Sequence, residues 1–183
     1  AEPRMKGMVF TEFLEMVEAR WSPDLVDDLV EAADLPSGGR YTSVGTYGHE
    51  EMVTLVRGLS ERTGIPVPEL IRAFGRHLFG RFSVTHPRLF QGAADAFGFL
   101  EGIESLIHAE VLKLYPDAML PRFDVTRDGD RMTLVYHSSR HFEDLAHGLI
   151  EGCLEHFGTR ATLARAGAAQ PDGGIRFDLA RLA

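Results

Sequence analysis

The spacing of hydrophobic residues changes from helical to alternating about two thirds of the way along the chain. In the first part, apolar residues recur at intervals of three and four, which is the repeat of one buried face of an α-helix. Breakers such as Pro36 and Gly64 separate these segments, and Pro68 is a residue that favours the start of a helix. Five helices are therefore predicted, near residues 10–17, 23–35, 49–62, 68–79 and 93–115.

The last third of the chain alternates between apolar and polar residues in four short runs, which predicts strands. The runs lie at residues 122–126, 132–139, 160–165 and 175–179. The turn Arg127-Asp128-Gly129-Asp130 joins the first two runs as a hairpin, and a sixth helix is predicted from Phe142 to Phe157. The order predicts an α+β fold with an antiparallel sheet of about four strands. This order predicts a single domain over residues 1–183, with a helical part at about residues 5–65 and a part with the sheet at about residues 66–183.

Composition and charge narrow the class of protein. The chain has 183 residues, of which 44% are hydrophobic and 25% charged, so it can bury a core large enough for a cofactor. The net charge of -8, without a cluster of Lys and Arg, disfavours binding to nucleic acids or to an anionic membrane surface. Cys153 is the single cysteine and cannot form an internal disulfide. With neither an apolar leader nor a run of about 18 apolar residues, a cytoplasmic protein is expected.

Three hydrogen-bond donors alternate near the end of the predicted strand 132–139. Tyr136, Ser138 and Arg140 are two residues apart and are expected on one face of an extended chain. The planar guanidinium of arginine binds carboxylates well, so the row suits a ligand with two carboxylates, such as haem. A polar strand face in contact with water is the alternative interpretation.

His108 lies among apolar residues in the predicted fifth helix. A histidine in such a position can ligate haem iron, but it can also be a core histidine with one hydrogen-bond partner. The role of His77 stays open, and the remaining histidines are expected at the surface; these are His49, His86, His137, His141, His147 and His156. The sequence contains no His-Glu-x-x-His, phosphate-binding loop or Gly-x-Ser-x-Gly motif, and its residue spacings point to no specific enzyme.

Several short blocks, taken in order, match one known family. The chain resembles the H-NOX domains, the haem-nitric oxide/oxygen binding family that includes the haem domain of soluble guanylate cyclase. The resemblance covers nearly the whole chain. The matching blocks are Met5-Lys6-Gly7, Ala73-Phe74-Gly75-Arg76, Ile107-His108-Ala109-Glu110-Val111, Leu114-Tyr115-Pro116-Asp117-Ala118, Pro121-Arg122-Phe123, Tyr136-x-Ser138-x-Arg140 and Gly148-Leu149-Ile150-Glu151-Gly152.

This resemblance implies a haem b site located between the helical part and the sheet. His108 matches the proximal iron ligand, and Tyr136, Ser138 and Arg140 match the residues that hold the haem propionates. Pro121 matches a family proline that presses on the haem and helps to distort it.

The resemblance also bears on which gas is bound. Relatives that bind oxygen stably carry a tyrosine at the position of Leu145, and their supporting polar residues match Phe13 and Leu78, although a shift of one residue would place His77 at the last position. Bound oxygen is polarised and needs a donor, whose hydrogen bond to a charged acceptor contributes roughly 1.5–3 kcal/mol. An apolar pocket therefore favours nitric oxide over oxygen.

The resulting hypothesis is a nitric oxide sensor without enzymatic activity. The family implies that nitric oxide weakens the bond between iron and His108 and releases the helix that carries this residue. We expect no kinase or cyclase domain within this length, so the output is expected in a separate histidine kinase or cyclic-di-GMP enzyme. The alternatives are a haem enzyme acting on small nitrogen or peroxide species and a haem-free interaction module.

Overall fold

The computed structural model describes residues 3–183, which form seven α-helices, a four-stranded antiparallel sheet and a small two-stranded one. The helices are α1 Gly7–Arg20, α2 Pro23–Ala33, α3 His49–Thr63, α4 Val67–Thr85, α5 Ala96–Glu101, α6 His108–Leu114 and α7 Glu143–Phe157. The strands are β1 Arg4–Lys6, β2 Thr46–Gly48, β3 Arg122–Asp128, β4 Arg131–His137, β5 Ala161–Arg165 and β6 Ile175–Arg181. The predicted α+β class is confirmed, with the four-stranded sheet in the order β3-β4-β6-β5. No helix within residues 3–183 combines the length and apolar character needed to cross a membrane.

Local sequence signals set the ends of several elements. The Ser22 hydroxyl accepts a hydrogen bond from the Leu25 amide at 3.1 Å, which caps α2. Gly64 adopts the left-handed conformation at φ 73° and ends α3. The β3-β4 hairpin turns at Gly129, with φ 59°, and Asp130, because Asp128 still pairs with Arg131.

Residues 3–183 form two hydrophobic cores that meet along α4 and α7. The first core lies among the N-terminal helices, with Phe10 and Phe13 fully buried. The second packs α5 and α7 on the four-stranded sheet around Phe177. α4 contributes Phe74 to the first core and Phe79 to the second. The helix that follows the expected division near residue 65 therefore belongs to both parts.

The predicted continuous helix over residues 93–115 is wrong. Asp95 caps the Gly98 amide at 2.8 Å, so α5 begins only at Ala96. After α5, residues Ile103–Ile107 form a short π-helical segment, in which the Gly102 carbonyl accepts from the amides of residues 106 and 107 at 2.9 and 3.1 Å. Glycine disfavours a regular helix, and the wider π turn is often found at functional sites. Because the π-helical segment ends at Ile107, α6 starts at His108.

The predicted strand at residues 132–139, with an extended chain onward to Arg140, is also too long. β4 ends at His137, where its pairing with Arg122 at the start of β3 ends. The Ser138 hydroxyl then accepts from the Arg140 amide at 3.2 Å, which forms a turn, and His141 follows with φ 52°. Ser138 and Arg140 therefore do not continue the strand face of Tyr136.

Two further features differ from expectation near the N-terminus. Strands β1 and β2 form a small antiparallel ribbon that hydrophobic spacing does not predict, because each has only three residues. His49, expected at the surface, is only 8% exposed, and its ring lies 4.5 Å from that of Phe142. The N-terminus of α3 is thus packed against the residue that precedes α7.

α4 and α7 cross at very short distance because both carry glycine at the contact. A Cβ atom on Gly148 would lie 2.0 Å from the Arg72 carbonyl oxygen and 2.9 Å from the Gly75 Cα. A Cβ atom on Gly75 would lie 2.5 Å from the Leu145 carbonyl oxygen. No side chain fits at either position without displacing a backbone. The crossing places Leu78 of α4 and Leu145 of α7 along one cavity wall.

Candidate functional site

A large, mostly apolar cavity opens between the two cores. Its volume is about 1350 Å³, counting the space at its open side. α1, α4, α5, α7, the π-helical segment and the loop after α6 supply its apolar lining. The side chains with polar groups in the lining are Lys6, His108, Tyr115, Tyr136 and Arg140. An apolar cavity with few polar groups is typical of a cofactor site.

His108 lies in one wall of this cavity, at the start of α6. Its side chain is 15% exposed, and its Nδ1 atom lies 3.3 Å from the Oε1 atom of Glu104, one turn earlier. The same carboxylate oxygen accepts a hydrogen bond from the backbone amide of Phe123 at 2.7 Å. Because Nδ1 faces the carboxylate, Nε2 is the ring nitrogen left for a metal ion.

The environment of His108 favours the neutral imidazole that a metal needs. Burial lowers the pKa of His108, and the nearby Glu104 carboxylate opposes this effect only in part. Pro121, on the loop after α6, lines the same cavity.

Two of the three predicted carboxylate-binding residues line the same cavity. Tyr136 and Arg140 both line it, whereas Ser138 lies in the turn between them. Burial raises the pKa of Tyr136, and the Ser138 hydroxyl and the Arg140 charge oppose this rise. Arg140 Nη1 donates to the Arg4 backbone carbonyl at 3.1 Å.

This donor set fits the propionates of haem. Burial lowers the pKa of Arg140, and within residues 3–183 no carboxylate forms an ion pair with it. A half-buried guanidinium without an acidic partner is costly, and a ligand carboxylate would compensate for that cost. His108 and Arg140 therefore supply the two kinds of contact that haem requires: one neutral imidazole and one carboxylate binder.

The wall formed by α4 and α7 presents hydrocarbon to the cavity. Leu78 and Leu145 line it. Phe13 is fully buried behind this wall, with its ring 5.3 Å from that of Phe74, and does not reach the cavity. His77 points elsewhere: its Nε2 atom lies 3.6 Å from Glu12 Oε2 on α1. The structure therefore places Leu78, and not His77, in the lining.

Comparison with known proteins identifies the family. A model of the Haem-NO-binding family matches residues 6–165, which is most of the chain. This chain is an H-NOX domain. H-NOX domains are haem-binding gas sensors.

Solved H-NOX structures share the whole fold. An unliganded Fe(II) H-NOX protein from K. algicida is 34% identical, with a TM-score of 0.90 over 98% of this chain and 97% of that one. An H-NOX from Shewanella woodyi, solved in the Fe(II)CO state with IWP-051 bound, is 40% identical over 97% of this chain and 95% of that one, with a TM-score of 0.83. An H-NOX protein from S. oneidensis in the Fe(II)NO state is 25% identical over 98% of this chain and 100% of that one, with a TM-score of 0.89.

A curated relative is a much longer protein. A soluble guanylate cyclase of Caenorhabditis elegans is 28% identical over 141 residues, which are 74% of this chain. The match spans about 20% of the length of the cyclase. The likeness is therefore to one part of that protein.

The H-NOX domain contains an ion pair between a buried lysine and an exposed aspartate, which the sequence did not reveal. Lys6 is 8% exposed, and its Nζ atom lies 3.0 Å from Asp117 Oδ1. The ammonium also donates to the Val44 carbonyl at 2.7 Å and to the Thr46 hydroxyl at 3.0 Å. Asp117 lies in the loop that follows α6, so the pair joins the β1-β2 ribbon to the helix of His108. Both residues stood in matched sequence blocks, but nothing in the spacing shows that they pair.

Replacing Asp117 by asparagine is expected to lower the melting temperature in a pH-dependent way. The hydrogen bond from Lys6 holds the pKa of Asp117 below its ordinary value of 3.8. A depressed carboxyl pKa contributes stability that is full above the ordinary value and is lost as the pH falls through the lowered one. The difference in melting temperature between wild type and Asp117→Asn should thus be constant near neutral pH and shrink below about pH 4. Thermal unfolding followed by circular dichroism over this pH range measures it.

The matched control is Asp27→Asn on α2. Asp27 is exposed and forms no ion pair with another described residue, so its replacement should leave the melting temperature nearly unchanged. Equal effects of the two variants at every pH would show that the ion pair with Lys6 does not stabilise the fold.

Proposed function

We propose that this H-NOX domain is a nitric oxide sensor that binds haem b and signals to a separate effector protein. The observation that carries the proposal is the composition of the cavity. The lining contains a histidine and an arginine that forms no ion pair with a carboxylate of residues 3–183, whereas Leu78 and Leu145 present only hydrocarbon.

The residues that would hold the haem follow from this geometry. His108 would ligate the iron through Nε2, while Tyr136, Ser138 and Arg140 would bind the propionates. Pro121, which lines the cavity from the loop after α6, would press on the macrocycle. When bound, haem supplies an iron coordination position at which a small gas molecule can bind.

The side chains at positions 78 and 145 support selectivity for nitric oxide. A stable oxygen complex needs a donor, because oxygen becomes polarised and a hydrogen bond to a charged acceptor contributes about 1.5–3 kcal/mol. Leucine cannot donate one, and Phe13 lies behind the wall. Nitric oxide needs no such donor, so this pocket would discriminate against oxygen by leaving it unstabilised.

The element that carries His108 supports a sensing role over a catalytic one. The histidine follows the π-helical segment Ile103–Ile107, an irregularity of a kind that is often found at functional sites. Release of His108 would let this helix move against the rest of the domain, which is the two-state element that signalling needs. We propose a histidine kinase or a cyclic-di-GMP enzyme as the effector. In the C. elegans guanylate cyclase the matching region is one part of a longer protein, which supports a link between such a domain and a signalling enzyme.

Absorption spectroscopy of the purified ferrous protein tests this function. We expect a haem spectrum under argon, no stable oxygen complex in air and a five-coordinate spectrum after nitric oxide is added. A stable oxygen complex would contradict the selectivity. Failure to bind haem during expression or reconstitution would instead favour the interaction module, and turnover of nitrite or peroxide would favour a haem enzyme.

A further inference from the structure

The carboxylate of Glu104 occupies a defined place between His108 and the sheet. Its Oε1 atom lies 3.3 Å from His108 Nδ1 and accepts the Phe123 amide hydrogen bond at 2.7 Å. Phe123 is on β3, in an element distant along the chain from the π-helical segment that carries Glu104. The carboxylate is therefore fixed by a backbone group that does not depend on the position of the imidazole.

Such a partner has a known chemical effect on a metal-bound histidine. A ligating imidazole usually donates its second N–H to a carboxylate, carbonyl or water, which fixes its tautomer and orientation and raises its basicity. A carboxylate has the strongest effect of these partners, because its charge favours partial transfer of the proton from Nδ1. A more basic imidazole binds iron more strongly through Nε2.

We propose that Glu104 is a positioning residue that orients His108 and strengthens its bond to the haem iron. The inference rests on the proposed role of His108 as the iron ligand. Glu104 accepts a hydrogen bond from Nδ1–H, leaves Nε2 as the ligating nitrogen and connects the imidazole to β3 through the Phe123 amide. It thereby sets how readily the helix of His108 is released.

The position of Glu104 in the π-helical segment is part of this arrangement. Glu104 precedes His108 by four residues, which in a helix places the two side chains on neighbouring turns. The side chain of Glu104 is 45% exposed and that of His108 15% exposed, so the carboxylate stands at the rim and the imidazole inside. Phe123 contributes its ring to the same contact, 6.2 Å from the His108 ring.

Two substitutions at position 104 separate the effect of the negative charge from that of the side chain's hydrogen-bonding contacts. Glu104→Gln keeps an oxygen that can accept from Phe123 but removes the negative charge, whereas Glu104→Ala removes both contacts. In the ferrous holoprotein, we expect Glu104→Gln to lower the iron–histidine stretching frequency in resonance Raman spectra. We expect Glu104→Ala to accelerate haem transfer to excess apomyoglobin by about 10- to 100-fold, the usual effect of removing a partner of a metal ligand.

Glu110→Gln is the matched control. Glu110 lies on α6 and pairs with Lys113 at 2.6 Å on the exposed side, so this change removes a nearby charge without touching His108. Its stretching frequency and haem transfer rate should equal those of wild type. The proposal is overturned if Glu104→Gln has the wild-type frequency and Glu104→Ala the wild-type transfer rate.

The outcome also separates this inference from the proposed function. A wild-type protein with a normal iron–histidine band, together with Glu104 variants that do not differ from it, would refute the role of Glu104 and leave the sensor intact. A ferrous wild-type protein without an iron–histidine band would refute both.

Discussion

Replacing His108 by glycine is expected to yield a protein that retains haem weakly unless imidazole is added to the solution. No other histidine within residues 3–183 lines the cavity, so the variant loses the one imidazole able to reach the iron. The loss should exceed the roughly 10- to 100-fold effect of removing a partner of a metal ligand, because the ligand itself is removed. The missing ring leaves a space of matching shape, and free imidazole should restore the ferrous spectrum. Haem content per protein and absorption spectra, with and without imidazole, measure both effects.

His86→Gly is the control for this experiment. His86 lies at the end of α4, outside the cavity, with its Nδ1 atom 2.8 Å from the Thr85 hydroxyl. This variant should have the haem content of the wild type, and added imidazole should change neither its haem content nor its absorption spectrum. If His108→Gly instead retained haem with an unchanged ferrous spectrum in the absence of imidazole, another group would be the iron ligand.

Replacing Leu145 by tyrosine is expected to give the protein a measurable affinity for oxygen. Leu145 lines the apolar wall, and a phenol there would add the donor that this wall lacks. A hydrogen bond of about 1.5–3 kcal/mol corresponds to roughly 10- to 150-fold in affinity. Oxygen titration of the ferrous variant, or the dissociation rate of its oxygen complex, measures the gain.

Leu145→Phe separates the hydroxyl from the ring. Both variants add an aromatic ring at the same place, but only tyrosine can donate a hydrogen bond. Oxygen affinity should rise in Leu145→Tyr and stay at the wild-type level in Leu145→Phe. Equal affinities in the two variants would mean that ring size, and not a donor, controls oxygen binding.

The sequence was sufficient to predict elements with long and regular patterns. The apolar residues of α7 recur at helical spacing over the length of the helix, and apolar and polar residues alternate along the strands of the four-stranded sheet. Both patterns are long enough for their period to be unambiguous. Their order predicted the α+β class. The three-residue strands β1 and β2 are too short to show any period, and their pairing depends on residues that are far apart in the chain.

Local departures from regular geometry could not be read from the pattern. The apolar residues on both sides of Gly102 keep a helical spacing, although the chain there switches from α5 to a π turn. Polar hydrogen-bonding residues continue at every second position from Tyr136 to Arg140, past the end of β4. The residues of the turn after β4 therefore show the same spacing as a strand. The strand ends where its neighbours end, and that is a property of the whole sheet.

Individual residues of the site could be predicted from the sequence, but the contacts between them could not. His108 and Arg140 stood out by residue type and resemblance, and both line the cavity. Glu104 could have been found from its spacing of four residues before His108, but many exposed helical residues show the same spacing. The contact of Glu104 with Phe123 depends on how the helix meets β3, which no local signal encodes.

The crossing of α4 and α7 also determines how this pocket can be redesigned. Gly75 and Gly148 bring the two backbones into contact, and Leu78 and Leu145 project from the same pair of helices. Side chains at positions 78 and 145 can therefore be exchanged on a scaffold whose spacing is set by the glycines. Engineering of gas preference can proceed there residue by residue, for example towards an oxygen carrier, provided that positions 75 and 148 remain glycine.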